Sequence, residues 1–209
     1  MTRATDWDRY YASPYRTASL TRRYTSSTLL HLLKSCAPVA PSILELGGAN
    51  SCFADRILNE VRPCRYDVID SNELGLTLFR GRHADDRRVS ATFADVLKLP
   101  RAHLQYDVVY SVGLIEHFDQ AGTANAIAAH FRYLRPGGLA ILTFPTPTPL
   151  YRSARALAEL TGNWIFHDER PLSLAEFVKT ASRYGAIESS HILWPLILTQ
   201  YCVVTRKFR

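Results

Sequence analysis

The stretch Ser42-Ile43-Leu44-Glu45-Leu46-Gly47-Gly48-Ala49-Asn50-Ser51 constrains the fold of this chain more than any other. A short apolar run ends in an acid and a glycine pair, and a helical pattern begins at once near Ser51. That is a strand feeding a tight turn into a helix, where glycine lets the backbone approach a ligand closely. Many nucleotide-binding folds share this pattern. Its force comes from the groups spaced in order after it: Asp70, Asp95, residues 106–118 and residues 134–138.

Strands and helices alternate from there. Strand 43–46 leads to helix 51–61, and strand 66–69 ends at Asp70 before a helix around 73–79. A short strand, 89–93, ends at Asp95; strand 107–111 precedes a helix within 121–133. Strand 139–144 comes after the turn Arg135-Pro136-Gly137-Gly138. Strands separated by helix-length patterns imply right-handed crossovers and a parallel sheet covered on both faces. Residues 1–41 form a helical leader, with Leu20, Tyr24, Thr28, Leu29, Leu32 and Leu33 as one apolar stripe ended by Pro38 and Pro41. After the proline-rich exit at 145–149, residues 151–162 are helix-like and 163–171 irregular. Helix 173–184 opens on Ser173, with Glu176 completing a capping box. Strands 186–192 and 201–207 have no helix between them, which suits a terminal antiparallel hairpin.

The ordered set resembles the class I methyltransferases that use S-adenosylmethionine, and the resemblance covers residues 40–145. Glu45-Leu46-Gly47-Gly48-Ala49 resembles that family's Glu/Asp-x-Gly-x-Gly motif, with Ala49 in place of the last glycine. Asp70 stands where the family places an acid that accepts both ribose hydroxyls, with Ser71 beside it. Phe93-Ala94-Asp95-Val96 resembles the segment in which an aspartate accepts from the adenine amino group and the next residue packs on the ring. Residues 106–118, carrying Ser111, Val112 and the pair Glu116-His117, are similar to the fourth-strand motif, and Leu134-Arg135-Pro136-Gly137-Gly138 resembles the turn before strand five.

The resemblance implies an α/β fold: a doubly wound, mostly parallel seven-stranded sheet with a C-terminal antiparallel hairpin, a helical leader and a lid insertion after strand five. One domain is expected over 1–209, with a helical cap at 1–41, a donor-binding core at 42–145, an acceptor lid at 146–172 and a C-terminal helix and hairpin at 173–209. S-adenosyl-L-methionine is the expected methyl donor. Its sulfonium is already electrophilic, so such an enzyme chiefly aligns acceptor, methyl and sulfur and excludes water; a base is needed where the acceptor must lose a proton.

The donor-binding candidates are Glu45, Gly47, Gly48, Ala49, Asp70, Ser71, Asp95, Val96, Ser111, Val112, Tyr11 and Arg22. Glu45 is expected to order the turn as much as to touch the donor, and Asp95 also suits an N-cap for 96–99. In the aromatic group Trp7, Tyr10, Tyr11 and Tyr15, a tyrosine closes over the bound molecules or packs the leader down. Arg22 or Arg23 is a candidate partner for the donor's carboxylate. Two histidines are the catalytic candidates: His117 on the donor side after strand four, and His167 on the acceptor side, in the run His167-Asp168-Glu169-Arg170 that comes after Trp164, Ile165 and Phe166. Either also serves as a structural histidine. Adjacent His167, Asp168 and Glu169 do not converge on one ion, so no metal is expected.

Tyr151, Leu157, Leu160, Trp164 and Phe166 mix with Arg152, Arg155 and Arg170 in the lid. That combination suits an amphipathic small molecule, methylated on a hydroxyl or carboxylate oxygen of a sugar, lipid-linked or secondary-metabolite compound. Nitrogen or carbon acceptors are the alternative. A dinucleotide oxidoreductase would call for Gly-x-Gly-x-x-Gly, and Gly47-Gly48-Ala49-Asn50-Ser51-Cys52 lacks the third glycine. Nucleobase methyltransferases carry Asp/Asn-Pro-Pro-aromatic after strand four, where this chain has Ser111-Val112-Gly113-Leu114. A non-catalytic scaffold is the remaining alternative.

The formal charge of +6 is dispersed, so nucleic acid is not an expected partner, although peripheral membrane contact suits it. Four scattered cysteines without a Cys-x-x-Cys pair, a polar and aromatic start and the lack of a membrane-length apolar run give an expectation of a cytoplasmic protein.

Overall fold

A computed structural model describes residues 4–12, 19–100, 105–194 and 198–209. Seven strands form one sheet: β1 (Ser42–Leu46), β2 (Arg65–Asp70), β3 (Val89–Phe93), β4 (Tyr106–Val112), β5 (Leu134–Pro145), β6 (Gly185–Leu193) and β7 (Gln200–Lys207). Their order is β3-β2-β1-β4-β5-β7-β6. The first five pair in parallel, and β7 runs antiparallel to both β5 and β6. From β1 the chain works outward through β2 and β3, then returns to the other side of β1 as β4. The crevice beyond the carboxyl ends of β1 and β4 is therefore the switch point where open α/β sheets hold ligands.

Helices cover both faces. Ile43 points into an apolar layer shared with α2 (Ser19–Cys36), α3 (Ala54–Glu60) and α4 (Glu73–Arg82). Leu44, one residue on, joins the opposite layer with α5 (Gln120–Tyr133) and α7 (Leu174–Ala181). This alternation is the two-residue period of a strand buried on both sides. The helix starts are capped by side chains placed for it: Asn72 accepts from Gly75 N, Asp119 from Gly122 N and Ser173 from Glu176 N. Two further helices, α1 (Trp7–Ala12) and α6 (Pro149–Leu160), lie outside these layers in the N-terminal segment and in the insertion between β5 and α7.

Four details depart from the pattern expected of the sequence. The helix after β1 begins at Ala54, not near Ser51, because the Ser51 hydroxyl bonds Glu45 and receives Phe53 N, prolonging the turn. In α2, Leu20 and Tyr24 of the expected stripe are 65% and 49% exposed, while Thr25 and Ser26 are buried. There the helix meets the Arg56 guanidinium, which donates to Ser26 and Ser27, and small hydroxyl side chains suit that contact. The Arg135-Pro136-Gly137-Gly138 turn lies inside β5 as an irregularity, with Leu134 opposite Tyr106 and Leu139 already opposite Val108. Ser173 caps α7 as expected, but the Glu176 carboxylate is paired with Arg170 at 2.8 Å.

Candidate functional site

The turn after β1 is organised from beneath by Glu45. This carboxyl is buried; it accepts from the Ser51 hydroxyl at 3.0 Å and from the Tyr66 hydroxyl at 2.6 Å, and Tyr66 meets Tyr110 in turn at 2.5 Å. Burial pushes Glu45 up to about 7 even though these hydrogen bonds favour its anion. A Cβ on Gly48 would lie 2.4 Å from the Glu45 carboxyl carbon, so only glycine admits the acid there. Gly47, at φ +73°, supplies the reversal. Ala49, where the motif's last glycine was expected, has its room from Gly75 on α4: a Cβ at Gly75 would stand 2.6 Å from that of Ala49.

Asp70 ends β2 facing this turn. One oxygen accepts from Ala49 N at 3.0 Å and the other from Asn72 N at 2.7 Å. Burial raises its carboxyl above the usual value against these bonds. The Ser71 backbone N–H favours the anion as well, and a carboxylate with about four acceptor positions still keeps room for a ligand. Ser71 is exposed beside it. Asp95 caps the short turn Val96–Lys98 by accepting from Leu97 N at 2.9 Å and pairs with Lys98 at 3.2 Å, and Val96 is buried.

The N-terminal segment lies across these strand ends. Asp8 accepts from the Asn72 amide at 2.6 Å. Tyr11 packs near Gly75, and burial followed by the nearby charges of Asp70, Tyr10 and Glu45 raises its hydroxyl far above its ordinary value. Arg22 donates to the Tyr10 hydroxyl at 3.0 Å and has no carboxylate partner among the described residues. Tyr15 lies outside the described residues. In the turn itself Asn50 Oδ1 is buried with no hydrogen-bond partner among the described residues. Sequence reasoning misses Asn50, since a polar residue in a turn carries no signal of its own.

Ser111 lies on β4. Its side chain is fully buried, and its hydroxyl bonds His130 Nε2 at 2.9 Å in the layer beneath α5, so it offers no hydroxyl to a ligand. His130 Nδ1 donates to the Ala126 carbonyl, and burial pushes the ring down to about 4. Val112, next along the strand, is half-buried.

Beyond β4 the chain forms a 3-10 turn, Ile115–His117. His117 Nδ1 bonds Asp168 Oδ1 at 3.0 Å, and the same oxygen accepts from the Thr5 hydroxyl. Trp7 packs edge-on against the imidazole with centroids 4.9 Å apart, and Phe166 lies 5.9 Å away. Partial burial raises the Asp168 carboxyl, but the bonds from His117 and Thr5 outweigh it and hold the group well below the usual carboxylate range. His167 is half-buried and enters no hydrogen bond, ion pair or ring contact among the described residues; its neighbour Asp168, not His167, meets His117.

Two more carboxyls are buried nearby. Glu116 Oε2 has no partner among the described residues, and burial, then the charges of Glu169 and Asp168, raises it well above its ordinary value. Burial pushes Glu169 up to about 8, with the Tyr151 hydroxyl bonded to it and Arg155 Nη1 3.6 Å away. Of the three arginines in this insertion Arg152 is exposed, and the other two are used internally. Arg155 pairs with Glu159 at 2.8 Å and stacks over Trp164, and Arg170 bonds Glu176 and Thr123. Among the described residues no three His, Cys, Asp or Glu side chains are grouped to hold a metal, and no helix is long and apolar enough to cross a membrane.

Residues 43–138 match the family model of a methyltransferase domain. No curated protein matches the chain by sequence. Among solved structures, it is similar to the N-methyltransferase NodS from Bradyrhizobium japonicum WM9 in complex with S-adenosyl-L-homocysteine (TM-score 0.74, 17% identity, 96% of this chain and 95% of that one). It is also similar to magnesium protoporphyrin IX methyltransferase from Synechocystis PCC 6803 with the same product bound (TM-score 0.73, 12% identity, 96% and 92%). A third similar structure is the complex of the Haloferax volcanii Trm112 methyltransferase activator with a chain described as a methyltransferase (TM-score 0.73, 16% identity, 100% of both chains). The open groups at the switch point fit S-adenosylmethionine as donor: the Asp70 carboxylate, the Arg22 guanidinium without a carboxylate among the described residues, and the orphaned oxygen of Asn50. The sheet order, the glycine turn and the match of residues 43–138 to a methyltransferase domain agree with one another, and together they support a class I S-adenosylmethionine-dependent methyltransferase.

Proposed function

We propose that this methyltransferase acts on a hydroxyl oxygen of a small molecule held beneath residues 146–172, with His117 as the group that takes the acceptor's proton. The observation that carries this reading is the His117–Asp168 pair at 3.0 Å, just beyond the carboxyl end of β4. An imidazole bonded through Nδ1 to a carboxylate keeps Nε2 as a proton acceptor, which a hydroxyl nucleophile needs and a carboxylate does not. His167, three residues beyond Trp164, contacts the acceptor in this reading.

On the donor side, Asp70 accepts from the ribose hydroxyls, Asp95 from the adenine amine with Val96 against the ring, and Arg22 meets the methionine carboxylate. Gly47, Gly48 and Ala49 give the backbone its close approach, while Tyr11 and Val112 enclose the ligand. Glu45 acts from below by holding the turn. The sulfonium supplies an electrophilic methyl group, so the protein's work is alignment, water exclusion and removal of one proton.

Leu150, Leu157 and Leu160 stand 49%, 64% and 86% exposed on α6, at spacings that share one helical face. That stripe supports an acceptor with a lipid or other apolar portion, and contact with a membrane surface. A second reading, transfer to nitrogen, is favoured by the buried carboxyls Glu116 and Glu169 and by the pairing of Arg155 and Arg170. Such a site suits an ammonium better than an anion. NodS, similar in fold, is an N-methyltransferase.

The test is a panel of hydroxyl, carboxylate and amine acceptors, scored by S-adenosylhomocysteine release and by which atom of the product carries the methyl group. Hydroxyl methylation that falls roughly 10²–10⁴-fold in His117→Ala, with donor affinity changed only a few-fold, is the expected result. Methylation confined to amines establishes the second reading.

A further inference from the structure

Thr5, His117 and Asp168 come from three segments far apart in the chain: the residues before α1, the turn after β4 and the insertion between β5 and α7. Each is a polar group that water could satisfy if these segments lay open. Instead Asp168 Oδ1 accepts from Thr5 Oγ1 and bonds His117 Nδ1 at 3.0 Å, with Thr5 only 7% exposed. One carboxylate oxygen thus joins the N-terminal segment and the insertion around the imidazole. Trp7, two residues after Thr5, packs at 77° to the imidazole plane and limits its rotation. Asp168 itself pairs with protein groups, so its effect on chemistry passes through His117.

We infer that Asp168 is a positioning residue: it fixes His117 as the Nδ1–H tautomer with Nε2 as its lone pair, and Thr5 makes that setting depend on the N-terminal segment being in place. The inference rests on the proposed hydroxyl chemistry. A neutral imidazole has one N–H and one lone pair, and an anionic acceptor at Nδ1 decides which nitrogen holds which. The acceptor's O–H then gives its proton to Nε2 while an oxygen lone pair forms the new C–O bond. The S–CH₃ bond breaks with its electron pair remaining on sulfur, and the imidazolium beside Asp168 later loses its proton to water. Because Thr5 adjoins α1, which carries Tyr11 against Asp70, closure over the donor and setting of the base use the same segment.

The experiment uses full-length protein saturated with S-adenosylhomocysteine, with ¹⁵N-labelled histidine observed by NMR. The His117 signals are assigned by their loss in His117→Ala. In the wild type, His117 is expected to show a protonated Nδ1 and an unprotonated Nε2. Asp168→Asn replaces an obligate acceptor by a group that can also donate, so the Nδ1–H preference should collapse. With a hydroxyl acceptor, kcat should then fall by about 10²-fold or more, donor Kd staying within about threefold. Thr5→Val should leave the tautomer measurable but mixed, with a smaller loss of kcat. Once the His117 signals are assigned, an Nε2–H tautomer in the wild type overturns the inference without Asp168→Asn or Thr5→Val having to fold. So does full turnover in Asp168→Asn alongside an inactive His117→Ala, and that outcome leaves the base reading standing. Full turnover in His117→Ala overturns both.

Discussion

Asp70 serves both the fold and the ligand. Its oxygens already hold the backbone N–H groups of Ala49 and Asn72, which fixes the glycine turn against the start of α4. Its remaining acceptor positions are the ones assigned to the ribose. Asp70→Asn is therefore expected to act twice: an amide N–H₂ would face a backbone N–H, costing roughly 1–3 kcal/mol of stability, and the donor would lose about 2–4 kcal/mol of charged hydrogen bonding, more than tenfold in affinity. Denaturant melts of the free protein and calorimetry with S-adenosylhomocysteine separate the two. A stability loss with unchanged affinity would assign Asp70 to the turn alone. Glu45, Asp70 and the glycines were legible because their types and order carry the pattern. The tolerance of Ala49 was not, since the glycine that makes room for it, Gly75, lies on another helix. Nor was the Asp168–His117 pair, because nothing local to either residue says that the insertion folds back over the turn after β4.

At the scale of elements, period and order survived translation into structure better than ends did. Strand runs such as 43–46 and 66–69 are short, mostly apolar stretches, each with one buried acid (Glu45, Asp67), and their burial on both faces leaves little choice. Helix ends were decided by side-chain bonds instead: Ser51 was taken by Glu45, and Glu176 by Arg170. The stripe on α2 runs out in its first turns, where Leu20 is exposed, Tyr24 meets the Trp194 ring, and the next turn presents Ser26 and Ser27 to Arg56. On α6 the apolar stripe is real and faces outward. Because Leu157 and Leu160 are exposed, their replacement by Ser should shift the melting temperature little. For an acceptor with an acyl chain, KM in the Leu157→Ser/Leu160→Ser variant should rise several-fold, with no change for a short water-soluble analogue. Equal effects on both acceptors would remove α6 from apolar recognition and leave the stripe as surface.

For the whole molecule, buried titratable groups couple the fold to pH, and their signs can be worked out one at a time. An unfolded glutamate ionises near 4.5, whereas Glu45 and Glu169 keep their protons up to about 7 and about 8 in the folded chain. The folded state thus binds more protons between those values, and stability falls as pH rises through the window. His130 works in the opposite direction. It stays neutral down to about 4 while its unfolded counterpart takes a proton below 6.5, so its contribution is lost as pH drops from 6.5 to 4. Between about pH 4.5 and 6.5 the two effects oppose each other; above 6.5 only the carboxyls act, and Glu116, raised by the same burial, adds to them in sign. Unfolding free energy should therefore decline between pH 6.5 and 8, by about 2 kcal/mol at 1.36 kcal/mol per unit of differential protonation. Glu169→Gln should flatten the upper part of that decline and Glu45→Gln the lower part. Urea melts at half-unit steps of pH are the measurement. A curve rising across this window in the wild type would mean that both carboxylates are ionised and compensated in the folded protein, with Glu169 held by Arg155 and Glu45 by its tyrosine and serine hydroxyls.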